Sequence, residues 1–214
     1  RILSPGFIDL HSHLCMQMPK DQMDVHPTVT GAFAAQAARF YLESGFTTVR
    51  DAGGTSPDFA HAIDVGLLFG PRVFPSGAII SQTGGHGDFR KGNAADWCGA
   101  GPHPVGASDL SILADGVDQT LTAVRENLRR GATQIKIMGG GGIASENDPL
   151  YSLQGWPEEI RAAVQAASDW GTYVMAHAYT SDAVQRLIAN GVQVIEHGHL
   201  IDGETARICA EKGI

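Results

Sequence analysis

Apolar positions along the chain follow two periods in turn. Short β-branched and aromatic runs with period two are followed by stretches with helical spacing, and a glycine closes most of those stretches. Pro5-Gly6-Phe7-Ile8-Asp9-Leu10-His11-Ser12-His13 reads as a buried strand, with Phe7, Ile8 and Leu10, ending in two histidines. Residues 28–44 carry helical spacing (Phe33, Ala37, Phe40, Tyr41) and stop at Gly45. Phe46 to Asp51 is strand two, and Ser56-Pro57 caps a helix running towards Gly70. Arg72 to Ile80 is strand three. Asp115 to Arg130 is a helix, and Gln134 to Met138 is strand four. Helix from Pro157 to Gly171, strand five (Thr172–Ala178), helix from Ser181 to Asn190, strand six (Val192–His197) and helix from Gly203 to Lys212 complete the pattern. Gly213-Ile214 would open strand seven.

Alternating strand and helix predicts a parallel sheet in an α/β fold. No glycine-rich phosphate turn follows strand one, which argues against a dinucleotide fold. A (β/α)₈ barrel needs about 250 residues. The 214 residues supply six of eight βα units, so the expectation is one partial TIM barrel domain over residues 1–214. The chain starts at Arg1, almost on a strand, and is read as cut there. The long segments 81–108 and 139–156 follow strands three and four on the side where barrels place active sites. The Gly139–Gly142 run reads equally as a flexible surface loop or a ligand-approaching one.

Composition narrows the partners. The hydrophobic share is 43%, with 18% charged residues and a formal charge of -8. No basic cluster is present, so nucleic-acid binding is not expected. No run of about eighteen apolar residues occurs, so no membrane span is expected. Cys15, Cys98 and Cys209 make no CxxC motif, which favours a reducing, cytoplasmic setting.

The candidate chemistry sits at strand ends. Residues i and i+2 of a strand share a face, so His11 and His13 converge, as metal ligands do. Lys136 lies between Ile135 and Ile137; if the isoleucines face the helices, the lysine points into the barrel. A buried ammonium needs a carboxylate, for which Asp51 is the candidate, or it gives up its charge. Strands five and six each end in one histidine, His177 and His197. Four histidines and a lysine at one end of a barrel predict a metal site. Arg50 and Asp51 read either as orienting that site or as an internal salt bridge. His26, His61, His103 and His199 read as exposed or loop histidines.

The segments PGFIDLHSH, GFTTVRDAGG, QIKIM, VMAHAYT and VIEHGH together resemble the amidohydrolase superfamily, and within it the prolidase-like and imidazolonepropionase-related branch. The resemblance implies a barrel of the metal-dependent hydrolase type holding two divalent ions, Zn²⁺ by expectation, with a metal-bridging hydroxide as nucleophile. His11 and His13 would bind the buried ion, and His177 and His197 the exposed one. Lys136 would be N6-carboxylated and bridge the pair. His86 and Tyr179 match positions that hold substrate and polarise its carbonyl, so both are candidates for catalysis and substrate binding. The family also has an N-terminal β-sandwich and a strand-eight aspartate that carries the proton; neither is found here, so the 214 residues alone are expected to be inactive. Implied partners are a small peptide or amide substrate and, for the full-length protein, further copies of itself. The leading expectation is a dipeptidase or carboxypeptidase-like enzyme. A cyclic-amide hydrolase of the imidazolonepropionase type and a non-catalytic metal- or ligand-binding barrel are the alternatives. A phosphate-binding barrel built on Gly139–Gly142 leaves the histidines unexplained.

Overall fold

The computed structural model describes residues 3–17, 26–90, 110–145 and 148–214. Its strands are β1 (Phe7–Ser12), β2 (Phe46–Asp51), β3 (Arg72–Phe74), β4 (Ile79–Ser81), β5 (Ser111–Leu113), β6 (Ile135–Met138), β7 (Val174–Thr180) and β8 (Val194–Leu200). Its helices are α1 (Pro27–Glu43), α2 (Pro57–Asp64), α3 (Val117–Arg130), α4 (Pro157–Asp169), α5 (Ser181–Ala189) and α6 (Gly203–Lys212). The strands form two sheets, β1-β2-β3 and β5-β4-β6-β7-β8, and every ladder is parallel. This is an arc of barrel wall, and among the described residues no ladder joins β8 back to β1. Phe7, Ile8 and Leu10 of β1, read from sequence as buried, are accordingly exposed.

Three readings from sequence need correction. The third strand is two short ones, because the chain bends at Pro75-Ser76-Gly77 so that β3 pairs with β2 and β4 with β6. Gly77 sits at φ +70°, and a Cβ there would fall 2.7 Å from Asn127 Oδ1. Asn127 is held in place by bonds to both backbone groups of Ala78, at 3.2 and 2.8 Å. Second, β5 was not anticipated; three residues are too few for alternation to show. Third, α2 stops at Asp64 rather than near Gly70. Gly66 turns left-handed (φ +76°), and the N–H groups of Leu67 and Leu68 bond back to Ala62 O.

The main core lies between β4, β6, β7 and helices α3, α4 and α5. Ile80, Ile135, Ile137, Ala176 and Ala178 meet Val124, Leu128, Ile160, Ala163, Val184 and Leu187 there. Alternation then sends the intervening residues Lys136, Met175 and His177 to the opposite, inward face. No helix among the described residues is long and apolar enough to cross a membrane. His103 and Cys98 lie outside the described residues.

Candidate metal centre

The register of β7 and β8 decides how the histidines meet. His177 pairs with Glu196, and Ala178 with His197. His177 points inward and Ala178 faces the helices. A regular ladder would therefore turn Glu196 inward and His197 outward. Both point inward. His197 has φ +79°, alone among the described non-glycine residues in the left-handed region, and this breaks the period of two. Its ring reaches His11 and His177, with centroids 4.7 Å away in each case.

His11 and His13 come together as their spacing predicts, with Nε2 atoms 3.1 Å apart. Each ring is oriented through its other nitrogen. His13 Nδ1 donates to Gly53 O at 2.9 Å, and His11 Nδ1 donates to the Glu196 carboxylate. Both tautomers are thereby set, and both Nε2 lone pairs face each other. That arrangement is repulsive until a cation lies between them. Two tetrahedral ligands about 2.0–2.1 Å from zinc stand about 3.3 Å apart, close to the observed separation. The pair therefore fits a divalent ion. His177 donates Nε2–H to Gly141 O at 3.1 Å, which leaves its Nδ1 free. Among the described residues no three His, Cys, Asp or Glu side chains stand ready as a complete cage.

Lys136 is 1% exposed. Among the described residues no carboxylate lies within ion-pair distance of its amine, so the alternative of an ion pair with Asp51 does not form. Burial lowers its pKa to about 8, with Glu196 and Asp51 pulling the other way. Asp51 turns instead to the loops that follow β2 and β3. Its Oδ2 accepts from Ser76 Oγ (2.6 Å) and from the N–H groups of Ser76 and Thr55 (3.2 Å each). Burial raises Asp51 to about 6. Burial also holds the histidines neutral, at about 4 for His13, about 2 for His177 and about 4 for His197. Neighbouring His and Lys charges add to this in each case. Neutral imidazole is the form that binds metal.

Glu196 is the residue that sequence reasoning missed. It is 5% exposed, accepts from His11 Nδ1 on one oxygen and from Arg50 Nη2 on the other, and lies across the gap between β8 and β1. Burial alone would raise its pKa, but the His11 hydrogen bond and the charges of Lys136 and Arg50 hold it below the usual range. Arg50 also donates to Leu10 O at 2.8 Å, so it orients the site through Glu196. The only signal in sequence was an acid next to a strand-end histidine, and alternation had argued that it faced away.

His86 and Tyr179 line the same cluster. The His86 ring stacks on His177 at 4.2 Å, and Tyr179 stacks on His197 at 5.0 Å. His199 is exposed but lies 5.8 Å from Tyr179, at the rim. His26 caps α1 and His61 is exposed on α2, both as expected. The Gly139–Gly142 segment is neither loose nor a phosphate cradle. Gly141 N bonds Ser152 O and Gln154 N bonds Gly139 O, at 3.1 Å each. A Cβ at Gly141 would fall 1.9 Å from Pro149 O, which explains the glycine there.

The chain is similar to known hydrolases in both sequence and fold. Ochratoxinase of Aspergillus niger is 35% identical over 224 aligned positions, covering 100% of this chain and 46% of that protein. A prolidase crystallised with N-methylphosphonate-L-proline superposes with a TM-score of 0.90 at 42% identity, over 98% of this chain and 51% of its own. A Xaa-Pro dipeptidase crystallised with methionine gives 0.80 at 34% identity, over 98% and 52%. The chain thus spans about half the length of these relatives. The sequence model of the amidohydrolase family matches residues 2–214, and the chain belongs to that family.

Proposed function

We propose that the full-length protein carrying this chain is a metal-dependent hydrolase of amide bonds, of the dipeptidase or prolidase type. The observation that carries this reading is the pair of facing Nε2 atoms on His11 and His13, 3.1 Å apart, beside a buried lysine with no carboxylate partner among the described residues. His11, His13, His177 and His197 would hold two divalent ions, with Zn²⁺ suited to an imidazole-rich set. When bound, such ions activate water and polarise the scissile carbonyl.

The remaining roles belong to the chain's own residues. A Lys136 amine with a pKa of about 8 is partly neutral near neutral pH. It can attack carbon dioxide, forming an N–C bond and releasing a proton. The resulting carbamate replaces a repelling ammonium with one negative charge shared over two oxygens among the histidines. Glu196 and Arg50 orient His11. His86 and Tyr179 offer hydrogen bonds to the substrate's carbonyl and free carboxylate. Proton delivery to the leaving nitrogen is assigned by the family resemblance to an aspartate of a later barrel strand.

Similarity to a prolidase and a Xaa-Pro dipeptidase favours peptides with a free carboxylate. A panel of Xaa-Pro and other dipeptides, N-acyl amino acids, ochratoxin and cyclic amides tests this with the full-length protein. Dipeptides and N-acyl amino acids should be hydrolysed best. Turnover of cyclic amides alone would replace the proposal with the imidazolonepropionase type.

A further inference from the structure

The segments after β4 and β6 are joined by buried polar contacts that the proposed metal ligands do not make. Asp148 has a side chain 1% exposed. Its Oδ2 accepts from Gly142 N at 3.0 Å and Gln154 Nε2 at 3.1 Å, and lies 3.4 Å from His86 Nδ1. Its Oδ1 is buried without a hydrogen bond among the described residues. Gln154, also 1% exposed, accepts from His86 N through Oε1 at 2.8 Å. The backbone and the ring of His86 are therefore tied to the same Asp148–Gln154 pair. Ser145 Oγ lies 3.2 Å from the same Nδ1. A Cβ at Gly142 would fall 1.9 Å from His86 Cε1, so the loop runs flush against the imidazole. The other side of the ring is stacked on His177, 20° from parallel.

A buried carboxylate with one oxygen unpartnered is costly. The two N–H donors on Oδ2 do not require it, since an asparagine oxygen would accept both. What the carboxylate adds is a charged partner for the Nδ1–H of His86. A carboxylate behind a histidine fixes its tautomer and its ring orientation. We propose that Asp148 is a positioning residue for His86, holding Nδ1–H so that Nε2 is presented to the substrate. This rests on the reading of His86 as a substrate-facing group.

The test is a double-mutant cycle on the full-length protein, with a dipeptide as the substrate. Asp148→Asn should lower kcat/KM roughly tenfold while leaving bound metal unchanged. In a His86→Ala background the same change should alter kcat/KM by less than about twofold, because the two act as one unit. A loss that persists undiminished in that background would overturn the proposal. So would an Asp148→Asn enzyme with unchanged kinetics where His86→Ala is impaired. If His86→Ala is itself fully active, the reading of His86 fails, and the proposal falls with it. Ser145→Ala removes the other Nδ1 partner from a half-exposed site and serves the same cycle if Asp148→Asn does not fold. Its smaller loss must likewise vanish with His86→Ala; a loss that remains counts against the proposal.

Discussion

A left-handed backbone at His197 should reverse the usual ranking of alanine and glycine. In an ordinary strand, glycine is less stable than alanine by about 0.5–1 kcal/mol. At φ +79° the order changes. The left-handed region costs an L-residue about 1–2 kcal/mol, and glycine avoids that cost. Glycine's extra freedom in the unfolded chain offsets about 0.4–1 kcal/mol of the gain. His197→Gly should therefore be more stable than His197→Ala by about 0.5–1 kcal/mol. Both variants lack the imidazole, so lost ring contacts and lost metal binding cancel in the comparison. Urea unfolding of the metal-free full-length variants measures the difference as a shift in midpoint at unchanged slope. Ala178, the ladder partner of His197, is the control. Ala178→Gly should destabilise in the ordinary direction. If His197→Ala proves as stable as His197→Gly or more so, the strained turn is not what brings His197 into the cluster.

Lys136→Ala should lose metal and activity together, and added short carboxylic acids should restore part of both; full activity in that variant would remove the lysine bridge. Glu196→Gln should keep the fold but weaken metal binding about 10–100-fold, as expected when the partner of a ligating histidine is changed; competition with a chelator measures it, and unchanged affinity would contradict the role given to Glu196. Acidification should destabilise the metal-free protein between about pH 6.5 and 4. Over that window the unfolded chain protonates four histidines that the fold disfavours charging: His13, His177 and His197, at about 4, 2 and 4, and His86, which burial also lowers. Asp51, raised to about 6, acts in the opposite sense, stabilising the fold as pH falls. Four histidines against one carboxyl give a net loss, and urea midpoints that rise on acidification would refute it.

Much of this site was legible because strands obey a period of two. His11 with His13, and Lys136 between two isoleucines, took their places for that reason. The same rule concealed Glu196, since a residue next to an inward histidine should face away. Gly198, itself at φ +63°, is the one hint in β8 of an irregular strand, and it does not say that His197 shares the left-handed φ. Loop contacts were hidden for a different reason. Asp148 and Gln154 reach His86 across 62 and 68 residues of sequence. No local pattern encodes such a meeting. Strand three misled because Ser76-Gly77 interrupts an otherwise apolar run, and only the pairing partners show that the run serves two sheets.

Metal analysis of the purified full-length protein tests the central claim most directly. The four histidines and Lys136 predict about two zinc-like ions per chain, on the template of paired hydrolytic metals, and stoichiometric loss of metal in a His11→Ala, His13→Ala double variant. A full-length protein that hydrolyses amide bonds while binding no transition metal would contradict the account.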